Sequence, residues 1–320
     1  MPDPIGVFLA EQPLLILDGA LATELEHRGA DLADPLWSAR CLIEQPALIR
    51  AVHADYFAAG ADVATTATYQ ASFDGFERRG LDRPAATQLM RNAVSLALAA
   101  RDDFWSVSAN RVGRLPPLVA ASIGPYGAML ADGSEYRGRY SVGDQVLRDF
   151  HRPRLQVLAD SGADLFAFET IPTLREALIL AELLREFPLT AWMSFSCRDG
   201  RHTSEGEDVA ACAAALRPFQ QVTAVGVNCT HPRFVGEILR RMASATDRPL
   251  LAYPNSGESY DATTKRWSGR AEASFADPMA EWVESGARLI GGCCRTTPQD
   301  IRSIRAAADR RHSAAQATVL

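Results

Sequence analysis

Three times along this chain the same punctuation closes an amphipathic stretch and opens a short apolar one: Gly60-Ala61-Asp62, Gly162-Ala163-Asp164 and Gly286-Ala287-Arg288. A glycine free to adopt a left-handed φ stops a helix, and a run of apolar residues then enters a buried strand. Repetition of that junction describes a β/α architecture. Eight strands are predicted, over 14–18, 62–68, 118–123, 164–169, 191–196, 223–229, 250–253 and 288–292. All are short and mostly apolar, as parallel strands covered on both faces are. Helical patterns lie between most of them. The clearest runs over 173–187, with a stripe of Leu174, Ala177, Leu178 and Ala181 and a capping box of Thr173 and Glu176. Others cover 84–105 and 144–160, where Pro153 should kink the helix or place its start. Eight alternations favour a closed (β/α)8 barrel over an open doubly wound sheet. The predicted fold is thus α/β, one TIM-barrel domain over residues 1–310, with a fraying tail over 311–320. Between 124 and 143 a Gly-rich, polar stretch without apolar period is long for a βα connection and reads as a functional loop.

Composition narrows the function. A net charge of −6 with scattered arginines argues against nucleic acid as partner. The N-terminal stretch lacks a basic flank and is broken by Pro2, Pro4 and Pro13, so it is a poor signal peptide, and no apolar run reaches membrane-spanning length. The expected location is the cytoplasm, without a membrane partner, as monomer or homodimer. In a reducing compartment cysteines serve as metal ligands, nucleophiles or small core residues rather than disulfides.

The ends of barrel strands carry the chemistry. Here they read Asp18-Gly19, Thr68-Tyr69-Gln70, Gly124-Pro125-Tyr126, Glu169-Thr170, Asn228-Cys229, Pro254-Asn255-Ser256-Gly257 and Gly292-Cys293-Cys294. Cys229 ends the sixth predicted strand, and Cys293 with Cys294 ends the eighth, one neighbour away in a closed barrel. Adjacent strand residues face opposite ways, so Gly291 and Gly292 are expected to supply the backbone freedom that turns both sulfurs to one ion. Thr297 and Pro298 then start a helix as N-cap and first residue. Three thiolates suit zinc and leave a fourth position open, the mark of a catalytic site. Cys41, Cys197 and Cys212 read as core residues. A redox role for the vicinal pair is the alternative, and loss of metal is expected to let Cys293 and Cys294 oxidise. The six histidines show no metal spacing. No Gly-x-Gly-x-x-Gly follows a strand, so a Rossmann-type nucleotide site is not supported.

Several of these motifs resemble those of the homocysteine S-methyltransferase family. They are the segments 17–25 (LDGALATEL), 68–72 (TYQAS), 122–127 (SIGPYG), 133–138 (GSEYRG), 227–229 (VNC), 253–258 (YPNSGE) and 291–298 (GGCCRTTP). The resemblance covers nearly the whole chain and is closest to the stand-alone bacterial and plant enzymes that use S-methylmethionine. It implies a Zn2+-bearing barrel that methylates homocysteine to methionine, with Cys229, Cys293 and Cys294 on the zinc-ligand positions. Asp18 and Glu169 fall on acidic positions associated with the substrate, Glu169 matching the one that holds the homocysteine amino group. Trp37 and Gln70 match donor-pocket positions of the betaine enzymes. Gln70 stands where that branch has a tyrosine, which argues against betaine as donor.

The residues also admit a chemical reading without the family. A thiol with pKa near 8.5 is mostly protonated at neutral pH, and a metal removes that proton without a general base. A sulfonium donor is cationic and wants anionic or aromatic partners, for which Trp37, Tyr126 and Asp18 are candidates by type. Each has a plainer role open to it: packing for Trp37, a salt bridge for Glu169, turn chemistry for Asp18. Asn228 either orients a ligand or holds its loop. S-adenosylmethionine is a second candidate donor, and selenohomocysteine or selenocysteine a second candidate acceptor. A zinc hydrolase or a zinc-stabilised binding protein fits less well, because hydrolases favour His and carboxylate ligands and a structural site closes with four.

Overall fold

The structure, a computed structural model, describes residues 3–32, 37–261, 266–269, 271 and 275–319. Its strands are β1 (Leu15–Ile16), β2 (Val63–Thr65), β3 (Leu118–Ile123), β4 (Leu165–Ile171), β5 (Ala191–Phe195), β6 (Val222–Asn228), β7 (Leu250–Tyr253), β8 (Ser259–Asp261), β9 (Arg266–Ser268) and β10 (Ala287–Ile290). Eight of them form one parallel sheet in the order β1-β10-β7-β6-β5-β4-β3-β2. A parallel bridge between Leu17 and Val63 joins its two edges. The ring is the predicted (β/α)8 barrel, with every predicted strand in place. The antiparallel pair β8–β9 lies between β7 and β10 and was not foreseen in the sequence.

The repeated junction works as read. Gly60, Gly162 and Gly286 all have left-handed φ, at 109°, 89° and 104°. The third residue of the motif adds a function the pattern alone does not reveal. Asp62 accepts from the backbone N–H of Ile16 (2.9 Å), and Asp164 from that of Val119 (2.7 Å), so each carboxylate ties its strand start to the strand alongside. Arg288 cannot accept, and instead donates to the carbonyl of Pro13 (2.6 Å).

Alternation along the strands separates two cores. Leu15, Leu17, Val63, Leu165, Ala167, Trp192, Leu251 and Leu289 point into the barrel, whereas Ile16, Phe166, Phe168 and Met193 face the surrounding helices. This double burial explains the unbroken apolar strands. The N-terminal stretch, read from sequence as broken by prolines, forms a helix over Pro4–Glu11 with its proline in the first turn, where no N–H is missed. Its Ile5 and Phe8 join the inner cluster.

Other local expectations are corrected. The helix Asp144–Ala159 passes through Pro153 and starts at Asp144, so the proline does not set its start. Thr173 caps the helix Leu174–Leu184, accepting from Glu176 N, but the reciprocal half of the box is absent. Glu176 is drawn inward to accept from Tyr126 N (2.6 Å) and to pair with buried His151 (2.8 Å). The last helix runs over Pro298–Val319. No helix among the described residues is long and apolar enough to cross a membrane.

Candidate active site

The exit of β6 is held in an unusual backbone conformation. Asn228 is fully buried, and its Oδ1 accepts from Thr170 N (2.7 Å) and Ser194 Oγ (2.6 Å) while Nδ2 donates to Thr170 Oγ1 (2.8 Å). Thr170 and Cys229 both carry left-handed φ, 59° and 46°. Such residues cost about 1–3 kcal/mol each and persist where their surroundings hold them. Here Asn228 supplies that hold at the end of β4, and Thr230, bonded to the carbonyl of Asn228 (2.9 Å) and to Cys197 N (2.9 Å), supplies it on the other side.

At the end of β10 the chain makes a tight turn. Thr296 N and Oγ1 both donate to the carbonyl of Cys293 (3.1 and 2.6 Å), and Arg295 takes a φ of 68°. The two glycines before the pair act differently from expectation, since neither has left-handed φ. What they provide is room. A Cβ on Gly291 would sit 2.6 Å from Leu17 Cβ and 2.8 Å from the carbonyl oxygen of Asp18, and one on Gly292 would sit 2.3 Å from Thr296 Oγ1. The turn nests against the exit of β1, where Gly292 N donates to Asp18 O (3.0 Å). The last helix starts at Pro298 as expected, and Asp300 Oδ2 accepts from both Thr297 N (2.8 Å) and Thr297 Oγ1 (2.9 Å) at its first turn.

These turns bring the sulfurs of Cys229, Cys293 and Cys294 within 4.8 Å of one another, a group able to hold a metal ion. Cys229 and Cys294 are 3.7 Å apart. Tetrahedral zinc with ligands at about 2.3 Å places neighbouring sulfurs about 3.8 Å apart, so the donor set and this spacing fit that ion. Cys229 and Cys293 meet sulfur to sulfur, with Cα atoms 5.6 Å apart. Asn228 Nδ2 lies 3.8 Å from Cys293 Sγ. Burial pushes the Cys294 thiol up to about 11. Cys41, Cys197 and Cys212 are buried and apart from this group, as read.

Two carboxylates stand at the exits of β1 and β4. Asp18 accepts from Thr65 N (2.7 Å) and Thr65 Oγ1 (3.0 Å). Burial nevertheless pushes its carboxyl up to about 8, the nearby charge of Glu169 adding to the rise. Glu169 accepts from Ser122 Oγ and from Tyr253 OH (3.2 Å), the latter also receiving Trp192 Nε1 (3.0 Å). Burial holds Glu169 at about 7. Neither carboxylate has a cationic side chain among these partners.

The donor-pocket candidates separate. Trp37 begins the helix Trp37–Glu44, and its side chain lies outside the described residues. Gln70 stays at the β2 exit with a buried Oε1 that has no hydrogen-bond partner. Tyr126 does not join the site. Its ring packs edge-on against Tyr140 (5.5 Å) and Phe150 (5.1 Å), in the layer between strands and helices. The sequence reading missed Ser122 and Tyr253, which orient Glu169, and Thr65, which orients Asp18. Hydroxyls at the ends of β2, β3 and β7 were the available signal.

A model of the family described as homocysteine S-methyltransferase matches residues 15–308. A homocysteine S-methyltransferase of Bacillus subtilis, YbgG, is 52% identical over 306 residues, covering 95% of this chain and 97% of the relative. A selenocysteine Se-methyltransferase of Brassica oleracea is 46% identical over 301 residues, covering 90% and 88%. The crystal structure of the metallated form of the homocysteine methyltransferase MmuM from Escherichia coli superposes with a TM-score of 0.86 at 46% identity, covering 95% of this chain and 99% of that one.

Proposed function

The chain belongs to the homocysteine S-methyltransferase family, and from that premise we propose that it is a zinc enzyme transferring a methyl group from S-methylmethionine to homocysteine, giving methionine. The carrying observation is the trio of sulfurs within 4.8 Å of one another beside two buried carboxylates without cationic partners. Cys229, Cys293 and Cys294 would hold the zinc. When bound, it supplies the positive charge that keeps the acceptor thiol ionised at neutral pH. Glu169, aimed by Ser122 and Tyr253, receives the acceptor's ammonium group. Asp18, fixed by Thr65, adds a second acidic group three strands away around the ring. Asn228 keeps the left-handed residues Thr170 and Cys229 in place. The new bond forms between acceptor sulfur and methyl carbon as the sulfonium–methyl bond breaks, and its electron pair stays on the donor sulfur. Alignment of the two sulfurs supplies most of the advantage, since no proton need move in that step. Cysteines free to bind metal suit the reducing cytoplasm.

The test is a donor panel of S-methylmethionine, S-adenosylmethionine and betaine with homocysteine, beside the zinc content of the same preparation. S-methylmethionine should have the highest kcat/KM, with about one zinc per chain. A preference for betaine would overturn the donor assignment. Full activity in metal-free protein would overturn the metal. A selenol acceptor is the second reading, favoured by the likeness to a selenocysteine Se-methyltransferase, and selenocysteine belongs in the same panel.

A further inference from the structure

One half-buried acidic side chain at the barrel mouth has no part in holding the metal or the acceptor. Glu135 sits in the short turn Ser134–Tyr136, inside the long loop that follows β3. The loop backbone is pinned over the strand exits. Ser196 Oγ, just past β5, donates to the carbonyl of Glu135 (3.1 Å), and Arg139 N donates to Glu205 Oε1 (2.8 Å). The loop also folds back on itself so closely that a Cβ on Gly127 would lie 2.6 Å from Glu135 N. Glu135 Oε2 is buried without a hydrogen-bond partner. The carboxyl lies within Coulombic reach of Cys294, Tyr69 and Tyr136, so its charge is felt at the sulfur group. Burial holds it above the usual carboxylate range. Buried polar atoms are almost always paired, so an unpaired acceptor in a rigid loop at a site asks what it is kept for.

We propose that Glu135 is the counter-charge for the sulfonium centre of the methyl donor. The inference rests on the sulfonium-donor reading above. The acceptor's ammonium is assigned to Glu169 and the metal to the three cysteines. The sulfonium must come close to the acceptor sulfur, so its counter-charge has to lie near Cys294 without being a ligand. Glu135 meets both conditions. A sulfonium offers no N–H to a hydrogen-bond acceptor, so it is matched by an anion or an aromatic face, and Glu135 supplies the anion. The positive charge fades from the donor sulfur as the methyl leaves, so a carboxylate there stabilises the bound donor at least as much as the transition state. Its loss should therefore raise the donor KM without lowering kcat.

The experiment compares Glu135→Gln with the wild type in the metal-loaded full chain. The expected result is a donor KM raised about tenfold, a homocysteine KM and zinc content as in the wild type, and a kcat within about threefold. Glu135→Asp, which keeps the charge, should recover most of the donor affinity. A donor KM that moves less than about twofold, or a kcat that collapses at constant KM, overturns the proposal. Should Glu135→Gln fail to fold, the wild type decides through two inhibitors. Dimethylsulfoniopropionate, which has a sulfonium but no ammonium, should bind about tenfold more tightly than its neutral thioether analogue. Equal binding overturns the proposal. A wild type that uses no sulfonium donor sinks the reading beneath it, whereas a wild type that does, beside an unaffected Glu135→Gln, sinks only the role of Glu135.

Discussion

Buried carboxylates stand at both ends of this barrel, and they live under opposite conditions. Asp62, at the start of β2, is 1% exposed, yet it accepts from Ile16 N and is paired with Arg114 (3.1 Å) and Arg305. Asp18 and Glu169, at strand ends, are nearly as buried but have only hydroxyl and N–H donors around them, and both are held well above the ordinary carboxylate range. A buried charge matched by fixed cations holds a fold together. One left without a cation waits for a ligand that brings it. Backbone conformation follows the same division, since left-handed non-glycine residues occur at the exits of β4, β6 and β10.

Substitutions can break this contrast. Cys229→Ser should empty the metal site and lower methyl transfer by at least about a hundredfold, with the circular dichroism of the fold retained. Asp62→Ala should do the reverse. Leaving two arginines facing a vacated carboxylate costs about 3–5 kcal/mol, read as a lower urea midpoint, while kcat per folded molecule stays near wild type. Glu169→Gln should raise the homocysteine KM by about thirtyfold to a hundredfold, the worth of one charge-assisted contact, with no loss of thermal stability. If Glu169→Gln melted as early as Asp62→Ala, the contrast between the two ends would be mistaken.

The contrast can also be sharpened by pH. In the free protein Glu169 lies at about 7 and Asp18 at about 8, raised from 4.5 and 3.8. The folded state therefore binds protons more tightly than the unfolded state. Its advantage is complete below about pH 4 and is lost as pH rises through 7 and 8. An ammonium ligand favours the ionised carboxylate, so L-methionine, which has no thiol proton of its own, should release a proton on binding near pH 7. Calorimetry in buffers of different ionisation enthalpy measures that release, and its absence would remove Glu169 as the ammonium partner. The smallest effect is expected at the helix that follows β4. Thr173→Ala should cost about 1 kcal/mol through the lost cap, with both KM values unchanged.

Much of this was legible in the residues. The eight barrel strands could be found because burial on both faces makes them continuous apolar runs, and the three Gly junctions because a left-handed helix stop has few solutions. The sulfur group was legible because strand ends one neighbour apart must approach in a closed ring. Features that depend on distant atoms were read less well. Glu176 looked like half a capping box, but His151 and Tyr126 N, contributed by other elements, claim its carboxylate. Gly291 and Gly292 looked like a hinge, but they are small because the exit of β1 and Thr296 press against them. Tyr126 looked like a pocket aromatic, but Tyr140 and Phe150 hold it on the far side of the sheet.

The order of residues along the chain was enough for the alternation of strand and helix, hence the barrel, and for the three cysteines that its closure must gather. Those follow from periodicity and chain order, which are local properties. The contacts of the assembled barrel settled which carboxylates lack a cation and that Glu135 Oε2 is left without a partner over the strand exits. A pKa or an unpaired oxygen is set by the polarity and charge of atoms a few ångströms away, and in this barrel those atoms come from residues tens to hundreds of positions distant.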